Sequence, residues 1–463
     1  MAVKSIEVVI LAAGKGTRMY SKQPKVLHQL AGKPLLQHVI DTAKNLTSES
    51  IHLIYGHGAD LVKETIVDPQ LDWTEQVKQL GTGHAVQQVS DKINPHNDVL
   101  ILYGDVPLIS SETLKELVSI KNNCDIALLT AQLQNPFGYG RIVRNSQGNV
   151  EKIVEQKDAN ESERNIQEIN SGILIADGSR LIHWLERLDN NNAQGEFYLT
   201  DIIEFARKDN CSVDAYICPQ PIEIEGVNNK LQLAKLERAI QQKNAENLML
   251  RGVTLSDPAR FDYRGPKNIS DLSIGTDSSI DINVIIEGDC SFGERVKIGA
   301  NCIIKNSIIG DDVVIHENSL IENAIVAEQC QIGPFARLRP DTKLQPQAKV
   351  GNFVEIKKST IGEGSKVNHL TYIGDTIMGE NVNIGAGTIT CNYDGAYKHQ
   401  TQIGDNVFVG SNSALVAPVV IEDNATVGAG TTLTKNVNKD SLCIARAKHR
   451  SIENWVRPIK DKG

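Results

Sequence analysis

Residues 274–304 read IGTDSSIDINVIIEGDCSFGERVKIGANCII. Within them Ile274, Ile280, Ile286, Phe292, Ile298 and Ile304 recur at every sixth position, often with a glycine following. The series continues after a slip of one through Ile309, Ile315 and Ile321, then Ile332 and Leu338. It resumes at Ile361, Val367 and Ile373 and closes with Ile403, Val409, Leu415, Ile421, Val427 and Leu433. A six-residue aliphatic period is the signature of a parallel β-helix built from hexapeptides. Three hexapeptides make a triangular coil, and each aliphatic side chain points inward onto its equivalent in the next coil. A coil buries its core only against its neighbours, so stability accumulates along the stack. Two stretches break the period, 340–349 (PDTKLQPQAK) and 391–400 (CNYDGAYKHQ). Both are expected to leave the coil as loops, since insertions in a solenoid go outward. After Val437 the repeat is expected to stop, leaving a basic tail with Arg446, Lys448, His449, Arg450, Arg457, Lys460 and Lys462.

Upstream of about residue 220 the pattern is different. Apolar segments at Glu7–Ala12, Ser50–Tyr55, Asp98–Tyr103, Asp125–Ala131 and Ser171–Ala176 are predicted strands, with helical spacing at Pro34–Leu46 and Ser111–Lys121. Such alternation implies an α/β sheet with helices on both faces, whose ligands gather at the carboxyl ends of the strands. Asn229–Leu248 is a run of helix formers without Pro or Gly and is predicted to be a connecting helix. The expected division is 1–228, a linker helix at 229–251, and 252–463.

A length of 463 residues fits two or three domains. The net charge of −9 argues against a nucleic-acid binder. The apolar run Val8–Ala13 is too short for the core of a signal peptide, and no stretch has the roughly 18 apolar residues of a membrane span. The eight cysteines are scattered without a CxxC pair, so zinc and disulfides are not expected and a cytoplasmic location is.

The first strand runs into Leu11-Ala12-Ala13-Gly14-Lys15-Gly16-Thr17-Arg18-Met19, with Pro24-Lys25 shortly after. A Gly-rich turn lets backbone N–H groups approach phosphates, and Arg18 and Lys25 can neutralise charge building on a leaving group. The spacing is neither that of a Walker A motif nor GxGxxG, which disfavours a dinucleotide site. The segment resembles the signature of sugar-1-phosphate nucleotidyltransferases. That resemblance extends to Gln76 with Gly81-Thr82-Gly83-His84-Ala85 as a uracil-recognition segment. It also takes in Tyr103-Gly104-Asp105, whose Asp matches a Mg²⁺ ligand, and Asn228, which matches the second ligand. Gly140, Glu155 and Asn170 lie in segments similar to those that contact the sugar. The reaction implied is attack of a sugar 1-phosphate on the α-phosphorus of UTP, with pyrophosphate leaving.

In the repeat half, His369-Leu-Thr-Tyr372 is followed by Asn383, Ala386 and Asn392-Tyr393, with Arg337, Arg339 and Lys357 upstream and Ser411, Ala429 and Arg446 downstream. This set is similar to the acetyltransferase half of the bifunctional UDP-N-acetylglucosamine pyrophosphorylase/glucosamine-1-phosphate N-acetyltransferase family, and the match covers essentially the whole chain. It implies a left-handed β-helix, a homotrimer and acetyl-CoA as co-substrate. A histidine with an ordinary pKa of about 6.5 suits a general base for an attacking amine. His369 takes that role, and Arg339 and Lys357 can hold the sugar phosphate. Tyr372, Asn383, Asn392 and Tyr393 can fix sugar and oxyanion, and Ala386, Ser411, Ala429 and Arg446 match positions along the acetyl-CoA groove. The small-molecule substrates would then be glucosamine 1-phosphate, N-acetylglucosamine 1-phosphate, UTP and acetyl-CoA, with no nucleic acid and no membrane. Two rivals share the two-part plan. One is a single-activity sugar nucleotidyltransferase with a regulatory β-helix, as in ADP-glucose or GDP-mannose pyrophosphorylases. The other is a non-catalytic exchange-factor-like scaffold. HLTY, the later asparagines and the intact Gly-rich set disfavour both.

Overall fold

The computed structural model describes residues 4–46, 49–447 and 449–458. The chain forms two compact units, Met1–Ile240 and Gln241–Gly463, which divide inside the helix Lys230–Leu250.

In the first unit the main path of a mixed sheet runs Val213–Ile217, Ile126–Gln132, Glu168–Asp177, Asp98–Tyr103, Ile6–Ala12, Ile51–Tyr55, Leu71–Glu75. Glu168–Asp177 is antiparallel to both neighbours, and the other pairs are parallel. The first strand lies mid-sheet with Val8, Val9 and Ile10 fully buried, which explains its unbroken apolar run. Four parallel strands therefore end together, at Ala12, Tyr55, Glu75 and Tyr103, and their following turns face the same end. The expected strands are present within a few residues, and the helix Ser111–Lys121 has the expected limits. Four strands of this sheet that the apolar pattern did not announce are Leu71–Glu75, Arg141–Arg144, Val150–Val154 and Val213–Ile217. They alternate polar and apolar residues or are short, as edge and hairpin strands do.

The second unit is a left-handed parallel β-helix with three ladders of short strands. Every aliphatic residue of the series from Ile280 onward is at most 3% exposed, and together they form one continuous core. The corners explain the period. A residue with positive φ stands three positions before almost every core residue, as Asp277 before Ile280, Asn301 before Ile304 and Asn381 before Ile384. Most of these corner residues are Asn, Asp or Gly, the types that tolerate the left-handed conformation. The slip at Ile309 comes from a corner shortened by one residue at Asn306, and the same shortening recurs at Asn323, Lys358 and Asp375.

Two expectations are corrected. Residues 340–349 do not loop out. Thr342–Leu344 is a strand, and Leu344 and Val350 are each 1% exposed in the core, so the stretch is an ordinary coil with its charged residues and glutamines outside and Thr342 buried with its hydroxyl bonded to backbone carbonyls. The stack also continues past Val437, because Leu442–Cys443 pairs with Thr426–Val427. Residues 392–400 do protrude, closed by a bridge between Tyr393 and Lys398. Of the basic tail, Lys448, Lys460 and Lys462 lie outside the described residues.

Candidate functional site

In the first unit the turns after the parallel strands enclose a cavity of about 420 Å³. It is lined by Leu11, Ala12, Ala13, Gly14, Lys25, Gln76, Gly81, Thr82, Tyr103 and Asp105, ten of the expected residues. Lys15 and Ala85, from the quoted motifs, also line it, and so do Val26, Gln79 and Glu196, which were not anticipated. Gln76 is buried, and its amide nitrogen donates to the Gly81 carbonyl (3.1 Å) and to His84 Nδ1 (3.0 Å). That fixes the amide at the cavity wall. Gly16 permits Lys25 to pack against the Gly-rich turn, since a Cβ there would sit 2.6 Å from Lys25 Cβ.

The expected cation ligands are paired with the expected phosphate cations. Lys25 Nζ bonds Asp105 Oδ2, and Arg18 Nη2 donates to Asn228 Oδ1 at 2.9 Å. The Val227 N–H donates to the Asp105 carbonyl at 2.9 Å, so Asp105 and Asn228 are neighbours across two loops. One carboxylate and one amide oxygen are hard donors of the kind Mg²⁺ accepts. Among the described residues no group of three or more His, Cys, Asp or Glu side chains could cage a metal. A cation here would complete its shell with water and phosphate, which suits Mg²⁺.

Gly104, Gly140, Glu155 and Asn170 complete the expected set. Gly104 fits tightly, as a Cβ there would lie 3.0 Å from Leu36 and 3.3 Å from Ala12. The Gly140 carbonyl accepts from the Asn170 N–H (2.9 Å), and a Cβ on Gly140 would meet Glu155 at 3.4 Å. Burial pushes the Glu155 carboxyl up, against a hydrogen bond from Thr200 (3.2 Å) that favours the charged form. Burial likewise raises the Tyr103 hydroxyl, helped by the charges of Glu155 and Asp105. Tyr103 packs on Gly172, which stands at φ 87° in a bulge of the strand Glu168–Asp177. Asn170 holds this bulge, its Oδ1 accepting from the Gly172 N–H at 3.0 Å.

In the second unit one corner of the helix assembles most of the other expected residues. The left-handed residues Phe335, Phe353, Leu370, Gly387, Asn412 and Gly430 stack in successive coils. The residues just before them form a second column: Pro334, Asn352, His369, Ala386, Ser411, Ala429. His369 is therefore followed along the stack by the three small or short side chains expected in the acetyl-CoA groove. Arg446 reaches the same end, its Nη2 lying 2.9 Å from where a Cβ on Gly428 would be. Asn383 belongs to the same coil as Ala386 and pairs with Lys366 of the His369 strand.

Beside this column Tyr372 and Asn392 meet over Gly374, where a Cβ would collide with the Tyr372 hydroxyl and lie 2.8 Å from Asn392 Nδ2. Asn392 is buried and donates to Asp375 Oδ2 at 2.5 Å. The protruding loop returns Lys398 to Lys357. That neighbour lowers the Lys357 ammonium below its ordinary range, with burial and Arg339 adding to the effect and Asp375 opposing it. Arg339 is paired with Glu355 at 2.8 Å. With Lys358 3.7 Å from Asp375, four cations therefore converge against two carboxylates, Glu355 and Asp375, and the excess favours an anion. Lys398 was missed in the sequence because only the fold of the loop brings it back. Tyr393 is exposed and donates from its hydroxyl to the Gly395 carbonyl within its own loop (2.6 Å), apart from the Tyr372–Asn392 contact.

Residues 8–169 match the MobA-like NTP transferase domain. Residues 400–435 match the hexapeptide repeat of succinyl-transferase, and residues 268–342 match the GMPPB C-terminal domain. The chain thus joins a nucleotidyltransferase domain to hexapeptide repeats of the acyltransferase type. The crystal structure of UDP-glucose pyrophosphorylase complexed with UDP-glucose aligns at 18% identity over 52% of this chain and 99% of that one, with a TM-score of 0.44. No helix among the described residues is long and apolar enough to cross a membrane.

Proposed function

We propose that the protein makes UDP-N-acetylglucosamine in two reactions on its two units. The β-helix transfers acetyl from acetyl-CoA to the amine of glucosamine 1-phosphate. The first unit then transfers uridylyl from UTP to N-acetylglucosamine 1-phosphate and releases pyrophosphate. The observation that carries the reading is a cluster of cations (Arg339, Lys357, Lys398) whose Lys357 lies on the strand paired with that of His369, together with a histidine column that continues as small residues to Arg446. A β-helix without a reaction of its own has no need for that arrangement.

For acetyl transfer the cations hold the sugar phosphate, and the amine attacks the thioester carbon. His369 takes the amine proton, Tyr372 and Asn392 meet the sugar and the developing oxyanion, and coenzyme A leaves as the thiol. Ala386, Ser411 and Ala429 leave room for the thioester arm, and Arg446 offers charge to its phosphates. For uridylyl transfer a phosphate oxygen attacks the α-phosphorus in line, which is mostly a matter of positioning and charge. The Gly-rich turn and Arg18 and Lys25 meet the triphosphate. Gln76, with its amide nitrogen already engaged, offers its oxygen to an N–H of the base. Glu155, Asn170 and Gly140 line the sugar side. Mg²⁺ held by Asp105 and Asn228 would supply a Lewis acid for the phosphates. The exposed apolar corner of Phe335, Phe353 and Leu370 supports burial against further copies in a cyclic trimer. A cytoplasmic location follows from the same reading.

The match to the GMPPB C-terminal domain favours a second reading, in which only nucleotidyl transfer occurs. Purified protein given glucosamine 1-phosphate, acetyl-CoA, UTP and Mg²⁺ separates them. Release of free thiol together with acetyl-CoA-dependent pyrophosphate supports two activities, and pyrophosphate without thiol supports one. With N-acetylglucosamine 1-phosphate also supplied, His369→Ala should abolish thiol release alone, and Asp105→Ala pyrophosphate release alone. Loss of both in either folded variant would contradict the division.

A further inference from the structure

Asn352 stands one coil before His369, and the two are partners in the parallel ladder. Each immediately precedes a left-handed corner residue, Phe353 (φ 57°) and Leu370 (φ 44°). The backbone under both side chains therefore has the same shape, and the side chains stack. The His369 segment is pinned further by the Thr371 hydroxyl, which donates to the His369 carbonyl at 2.7 Å. The result is a 2.9 Å contact between Asn352 Oδ1 and His369 Nδ1. On the opposite side of the imidazole the column offers Ala386, whose methyl leaves that side open.

An amide oxygen only accepts, so this contact requires the proton on Nδ1. A neutral imidazole protonated there carries its free lone pair on Nε2, away from Asn352. We propose that Asn352 is a positioning residue that selects the Nδ1–H tautomer of His369 and aims Nε2 at the acetyl acceptor's amine. During transfer the Nε2 lone pair takes the amine proton, and the resulting imidazolium keeps its Nδ1–H bond to Asn352. This rests on the acetyl-transfer reading for its kinetic consequence, but the tautomer is testable without it.

Asn352→Leu and Asn352→Asp make the test, because a carboxylate restores the acceptor and leucine cannot. Loss of an orienting partner of this kind lowers activity on the order of 10- to 100-fold. Asn352→Leu should lower kcat for thiol release by that factor with KM for both substrates within about threefold, and Asn352→Asp should recover most of it. Independently, long-range ¹⁵N correlation spectra of histidine-labelled full-length protein report the tautomer. The His369 signal is assigned by its loss in His369→Ala. The expected spectrum has a protonated Nδ1 in the unaltered protein and a mixture of tautomers in Asn352→Leu. A protonated Nε2 in the unaltered protein, or equal kcat losses in the two variants, overturns the proposal. Absence of thiol release from the unaltered protein would instead sink the acetyl-transfer reading, and the spectra would still decide the role of Asn352.

Discussion

Replacing Gly172 by alanine should damage the first unit in two separable ways. The residue stands at φ 87°, and an alanine forced into the left-handed region loses roughly 1–2 kcal/mol. Its Cβ would also lie 2.6 Å from Tyr103 Cε2, 2.8 Å from Cζ and 3.0 Å from the hydroxyl. Relieving that overlap means moving the ring, at a typical overpacking cost of about 1–3 kcal/mol. The Gly172 N–H is meanwhile held by Asn170 Oδ1 at 3.0 Å, and the Ser171 hydroxyl holds the Leu129 carbonyl at 2.6 Å, so the bulge resists shifting. The expected loss is about 2–5 kcal/mol, on the order of 5–15 °C in the melting of this unit. Because Tyr103 lines the cavity, KM for the sugar phosphate in pyrophosphate release should rise at least roughly tenfold, while thiol release stays within about twofold. Calorimetry on Gly172→Ala, Tyr103→Ala and the double variant isolates the overlap, which should appear as about 1–3 kcal/mol of coupling. Additive losses would refute the steric argument, and an unaltered melting point would refute both parts.

Leu344→Ala, in the coil that reads as an insertion, should lose about 2–5 kcal/mol by equilibrium unfolding; a loss within about 0.5 kcal/mol would return residues 340–349 to a loop. Burial, then the charges of Asp189, Glu204, Glu155 and Asp158, raises the Asp201 carboxyl from 3.8 to about 6. The folded group is therefore harder to ionise than the unfolded one, and its stability penalty is full above about pH 6 and gone below about pH 4. Asp201→Asn should stabilise at pH 7 by about 1–2 kcal/mol, discounted for partial exposure, and not at pH 4 in denaturant melts; the same gain at both pH values would show that titration is not the cause. Lys25→Ala frees Asp105 from its ammonium partner and should tighten Mn²⁺ binding to nucleotide-free protein by roughly tenfold, read by electron spin resonance. Weaker Mn²⁺ binding would mean that the lysine helps to build the cation site.

Local chemistry made a good part of the molecule legible in the sequence. The six-residue period follows from a corner that must take positive φ, and Asn, Asp and Gly mark it visibly. The Gly-rich turn after Ala12 and the aspartate two residues after Tyr103 were readable because a central parallel strand is apolar throughout and its polar chemistry is confined to its carboxyl end. Ten of the sixteen residues expected in the first unit line one cavity for that reason. What failed was reading structure from missing aliphatics. Residues 340–349 show fewer apolar residues because only Leu344 and Ala348 are buried aliphatics, one buried position is taken by Thr342, and the remaining side chains are at least partly solvated.

The sequence by itself determined the two architectures and named the candidate residues, while the ladder register set Ala386, Ser411 and Ala429 in one column with His369. Only the tertiary structure decided the partners: Lys398 beside Lys357, Tyr372 against Asn392, Gly172 under Tyr103, and Asn352 on the imidazole. Composition and period are properties of neighbours along the chain. Contacts across coils of seventeen or eighteen residues, or between separate strand ends, depend on register, and a single shortened corner resets the register for everything after it.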